Sequence, residues 1–144
     1  MNTPSDPQLS SELQELYLQN KQWLSDVLFL EDETRFFHKI LDTVLTTAVK
    51  EGRLHEVQLI NASLTQMEER RNKLKTVVIR HHHMLELMLK EQDKKIGLDM
   101  INENITIIKV IKGLFISDKV IKKELYTLVE GVIREYKAGH LLNA

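Results

Sequence analysis

Residues 9–48 read LSSELQELYLQNKQWLSDVLFLEDETRFFHKILDTVLTTA, and the spacing of apolar residues in that stretch decides the fold. Steps of four and three from Leu9 visit Leu13, Leu16, Asn20, Trp23, Val27, Leu30, Thr34, Phe37, Leu41, Val44 and Ala48. Ten of those twelve positions are apolar, and no Gly or Pro falls between them. An apolar period near 3.5 residues, sustained this long, specifies one helix whose stripe lies against other helices.

The same spacing recurs twice downstream. A second row runs through Val57, Ile60, Leu64, Met67, Arg71, Leu74, Val78, His81, Leu85, Met88 and Gln92. A third runs through Met100, Asn104, Ile107, Ile111, Leu114, Asp118, Ile121, Leu125, Leu128, Val132 and Glu135. Between the first two lies Glu51-Gly52-Arg53, where Gly52 suits a helix C-terminal cap. The polar stretch from Glu91 to Gly97 gives the second turn. At the front, Asp6-Pro7 offers an N-cap followed by a first-turn proline, and Ser11 with Gln14 offers a slightly later capping box. At the back, Ala138-Gly139 marks the expected end. Residues 1–6 read as a flexible tail, 7–139 as a single helical-bundle domain and 140–144 as a frayed C-terminus.

Each segment is close to 40 residues, or about 60 Å of helix at 1.5 Å per residue. Matched lengths and short turns predict an all-α fold, an elongated antiparallel three-helix bundle running up, down and up. Ser117-Asp118 is an alternative cap that would break the third helix and give four, and the Ile105–Ile108 run favours strand locally. The register carries through both without a skip, so one continuous helix is preferred.

Composition agrees with this class and removes several others. Hydrophobic residues are 42% and charged residues 28%, an ordinary globular balance, while five Gly and two Pro are few for a β or α/β domain. With 20 basic and 21 acidic residues the net charge is −1, which lacks the concentrated positive field of a nucleic-acid binder. Lys109, Lys112, Lys119, Lys122 and Lys123 line part of the third helix, but acidic residues interrupt them and no aromatic platform is interleaved. There is no cysteine, so disulfides and thiolate chemistry are excluded. Neither a signal peptide nor the roughly 18 apolar residues of a membrane span is evident, and the expectation is a soluble cytoplasmic protein without membrane insertion.

The polar residues inside the seams fall into two layers when the chain is folded back on itself. Thr34, Arg71 and Asp118 form an expected central layer, in which Arg71 pairs with Asp118 or with Glu31 or Glu33 of the first helix. A buried arginine without a partner is strongly destabilising, so burial and pairing go together; the alternative is an arginine that snorkels to solvent. Asn20, His81 and Asn104 form a second layer close to Trp23, read either as an alignment device or as a small pocket.

Chemistry is sparse. His81-His82-His83 point about 100° apart on a helix and cannot converge on one metal. His82 or His83 with Glu86 has the spacing for two ligands, so His82, His83 and Glu86 are the candidate metal set. In being all-helical and carrying His-x-x-x-Glu, here His82 to Glu86, the chain resembles haemerythrin-like bundles, although their His-x-x-x-His element is absent. The Glu-x-x-His pairs of di-iron carboxylate bundles do not occur either. No phosphate loop, nucleophile elbow or His-Glu-x-x-His is present, so no catalytic residue and no cofactor is assigned.

Apolar residues outside the seams carry more weight. Tyr17, Leu24, Leu28, Phe36, Ile40 and Leu45 flank the first stripe. Ile101, Ile105, Ile108, Phe115, Val129 and Tyr136 flank the third. They widen the core and exceed what three helices readily bury, which predicts an apolar groove between helices one and three for a second copy or another protein's helix. The expected function is therefore a non-enzymatic scaffold, adaptor or regulator that works through protein contacts, with homodimerisation expected. The rival readings are a metal-binding or oxygen-sensing bundle and a carrier of a small apolar ligand beside Trp23 and His81.

Overall fold

The computed structural model describes residues 5–91 and 96–142, with side chains described from 11 to 91 and 96 to 139. Three helices account for nearly all of it: α1, Ser5–Lys50; α2, Leu54–Lys90; and α3, Leu98–Leu142. They pack against one another as a three-helix bundle, with no strand among the described residues. α3 passes through Ser117 unbroken, and the Ile105–Ile108 run is helical. Packing of its apolar stripe overrides the local β preference of those isoleucines.

Helix ends differ modestly from the sequence expectation. α1 begins at Ser5, ahead of the expected Asp6-Pro7 start, which the fold accommodates because first-turn N–H groups have no intrahelical partner. α3 continues past Ala138-Gly139 to Leu142. A helical glycine costs about 1 kcal/mol relative to alanine, which weakens a helix without ending it. Residues 1–4 and 143–144 of the expected loose ends, and Gln92 of the second seam, lie outside the described residues.

The turn between α1 and α2 is a Schellman motif. Arg53 N–H donates to Ala48 O at 2.9 Å and Gly52 N–H to Val49 O at 3.1 Å, closing the last carbonyls of α1. Gly52 stands at φ 78°, the left-handed conformation this motif requires. The Arg53 carbonyl then accepts from Val57 N–H at 3.1 Å and starts α2.

The helices contribute to two compact units. The first takes α1 through Phe29, α2 from Arg71 and α3 through Gly113; the second takes α1 from Leu30, α2 through Arg70 and α3 from Leu114. In the first, Leu13, Leu85, Met88 and Met100 form a buried cluster, with Leu16, Tyr17, Leu89 and Ile96 packed against it. In the second, Leu30, Phe37, Leu64, Leu114 and Leu125 have no exposed surface. The seam residues are nearly all buried; Leu16, Val44, Arg71 and Asn104 are half-buried and Glu135 is exposed.

Candidate functional site

The buried polar side chains of the first unit gather around two adjacent histidines. Asn20 is fully buried and its Nδ2 donates to Val78 O at 3.2 Å. That bond fixes the amide, so Oδ1 faces His82 Nδ1 at 3.0 Å. His82 Nε2 lies 2.8 Å from Glu86 Oε1, and its ring stacks on Tyr17 with centroids 5.1 Å apart. Both nitrogens of His82 are therefore engaged within the protein.

His81, one residue earlier, points elsewhere. Its Nδ1 is 3.0 Å from Glu103 Oε1, and its ring sits 5.9 Å from the buried Trp23. Its Nε2 and the Oδ1 of half-buried Asn104 are shielded from solvent without a hydrogen-bond partner. His83 is exposed. The expected layer of Asn20, His81 and Asn104 thus divides its bonds differently from the sequence reading: Asn20 takes His82, and His81 takes Glu103. Among the described residues no group of three or more His, Asp or Glu is placed to hold a metal ion.

In the second unit, Asp118 is buried and its Oδ1 lacks a hydrogen-bond partner. Burial holds its carboxyl above the usual aspartate range, the nearby Glu33 charge adds to this, and Lys122 opposes it. Lys122 Nζ binds Glu33 Oε1 at 2.9 Å and lies 5.8 Å over the Phe37 ring. Its ammonium is held above its ordinary range chiefly by the Glu33 bond. Thr34, also buried here, satisfies its hydroxyl within its own helix by donating to Leu30 O. Arg71 belongs to the first unit, where it is half-buried and its Nη2 donates to Asn72 Oδ1 at 3.2 Å.

A further charged group surrounds the α1–α2 turn. Arg53 binds Glu56 through Nη1 at 3.1 Å and Glu135 of α3 through Nη2. The Glu135 bond keeps the guanidinium more firmly protonated, and it holds Glu135 below the usual glutamate range. Burial, aided by the neighbouring Glu135, pushes the Glu51 carboxyl up. Arg53 also lies over Gly131, where a Cβ would stand 2.7 Å from Nη2 and 2.8 Å from Cζ.

The outer surfaces are the other candidate. Of the twelve apolar residues expected to flank the seams, Leu28, Phe36, Leu45, Ile101, Ile105 and Tyr136 are exposed. The other six are half-buried. Sequence reasoning passed over a groove of the second unit between α2 and α3. Two depressions there, about 470 and 180 Å³, meet at Ser63. Ile60 floors the larger and Met67 and Ile121 the smaller, and Leu59, Ile116 and Val120 are exposed on the rim. The sequence signal was small or polar residues at the flanking positions, Ser63 and Ser117, beside apolar ones. No helix among the described residues is long and apolar enough to cross a membrane. No family model, curated protein or solved structure matches this chain.

Proposed function

We propose that this chain is a protein-contact module, a non-enzymatic helical bundle that serves as scaffold, adaptor or regulator in the cytoplasm. The observation that carries the reading is the set of large apolar side chains left outside the buried core. Leu28, Phe36, Ile105 and Tyr136 are each about half exposed or more, at 52%, 49%, 46% and 61%. Isolated apolar residues are common on surfaces, but these stand beside buried stripes on two helices, where a partner helix can cover them. Self-association in coiled-coil fashion is the simplest use of such faces.

The test combines light scattering behind size exclusion, over a wide concentration range, with elemental analysis of untagged protein. Association of the chain with itself, or a partner protein that co-purifies in fixed ratio, supports the reading. Stoichiometric iron, zinc or manganese that survives dialysis overturns it in favour of a metal-binding or oxygen-sensing bundle.

A further inference from the structure

We infer that the α2–α3 groove of the second unit seats a second copy of this chain, related by a two-fold axis through Ser63. This rests on the protein-contact reading above and names a second copy as the partner, on a face apart from Leu28, Phe36, Ile105 and Tyr136.

The argument begins with shape. The two depressions run end to end along α2 and α3, which are antiparallel here, as the Arg53–Glu135 and Arg70–Ser117 bonds show. One depression is bounded by Glu56, Leu59 and Ser63 on α2 with Lys123, Glu124 and Thr127 on α3. The other is bounded by Ser63, Gln66 and Arg70 with Ile116, Ser117 and Val120. Ser63 is the waist between them. Its small side chain allows close approach of a second helix there, flanked by the exposed Leu59 and Val120.

Charge then selects the occupant. Glu56 stands at one end of the groove and Arg70 at the other, with Lys123 and Glu124 about level with Ser63 between them. Arg70 is bonded only to a neutral hydroxyl, Ser117 Oγ at 3.3 Å, and no carboxylate pairs with it among the described residues. Glu56 shares the Arg53 guanidinium but keeps half its side-chain surface exposed. Glu56 and Arg70 lie seven residues either side of Ser63, about 10 Å along the helix in each direction. A dyad perpendicular to the helices and passing through Ser63 sets α2 against the second copy's α2, antiparallel. It brings Arg70 of each copy to Glu56 of the other, with Lys123 and Glu124 of both copies at the level of the axis. The surface is self-complementary in the manner of an isologous interface.

Sedimentation equilibrium on the full chain tests this, with circular dichroism to show that each variant keeps its helices. The parent is expected to dimerise, more weakly as salt rises. Arg70→Glu alone and Glu56→Arg alone each place like charges opposite one another and raise the dimer Kd by about ten-fold or more. The double variant Glu56→Arg/Arg70→Glu regains the parent's Kd to within about three-fold, since the ion pair is merely reversed. Ser63→Glu, on the axis, sets two like charges against each other there and abolishes the dimer. A parent that stays monomeric at every concentration overturns the second copy as partner. A dimer indifferent to these substitutions overturns the α2–α3 seat. Neither result touches the wider protein-contact reading, which a co-purifying partner or a bound metal decides.

Discussion

Gly131 lies in the interior of α3, where replacement by alanine ordinarily gains about 1 kcal/mol through helix propensity. Here the gain is opposed. An alanine Cβ would stand 2.7, 2.8 and 3.1 Å from three atoms of the Arg53 guanidinium, all inside normal contact distance. The backbone need not yield, because the guanidinium is the far end of a flexible side chain and can swing away. Doing so takes it from Glu135 and Glu56, which it otherwise holds. Gly131→Ala in the parent should therefore change stability little, or lower it slightly. In an Arg53→Ala background the space is open and the full helix gain of about 1 kcal/mol should emerge, a rise of about 2–4 °C in Tm for a chain this size. Four proteins suffice: the parent, each single variant and the double, compared by thermal melts and urea midpoints. The cycle isolates the contact between the two positions, because the loss of Arg53's own ion pairs is common to both of its members. Equal effects of Gly131→Ala in the two backgrounds would refute the reasoning.

Three further outcomes follow from the same geometry. Gly52→Ala meets no atom within 4 Å, so its cost is purely that of holding alanine at φ 78°, about 1–2 kcal/mol, read from urea midpoints. Glu103→Ala removes the hydrogen-bond partner of buried His81 and should destabilise by about 1–3 kcal/mol; a neutral result would mean that His81 is satisfied some other way. For Asp118, whose folded carboxyl is held above its unfolded value, the proton is favoured by folding. The stability this linkage contributes is complete below the unfolded pKa and is lost as pH rises through the folded one. Asp118→Asn should thus be more stable than the parent at neutral pH, with the advantage shrinking on acidification, and a pH-independent difference would count against a burial-driven shift.

The core was legible because burial in a helical bundle follows a period that single residues can carry. Leu13, Val27, Phe37, Leu64, Leu85, Leu114 and Leu128 fall on the predicted rows and are buried. Long or polar residues obey the period less well. Arg71 occupies a seam position yet is only half-buried, with its Nε shielded from solvent and its Nη2 on Asn72 Oδ1. Glu135, at the end of the third row, is exposed and turns to Arg53. Pairings were the least legible part. Lys122, one turn from Asp118, is its neighbouring cation and was noted in the sequence only as part of a lysine row. Likewise the Arg53–Gly131 approach joins a turn to the interior of another helix, and no local pattern announces it. Asn20 selects His82 over His81 because the Val78 carbonyl orients its amide, a through-space constraint that spacing alone does not express.

Trp23 gives the molecule a built-in optical label. It is the chain's one tryptophan, it is buried in the first unit, and it stands against His81, a ring able to quench it. Its emission reports the loosening of that unit and is blind to the second, whereas far-ultraviolet circular dichroism weighs the helices of both. Superimposable melting curves from the two signals would mean that the units lose their structure in one cooperative step. An emission change that leads or lags the helical signal would give each unit its own stability, measurable in the unmodified protein without adding a probe.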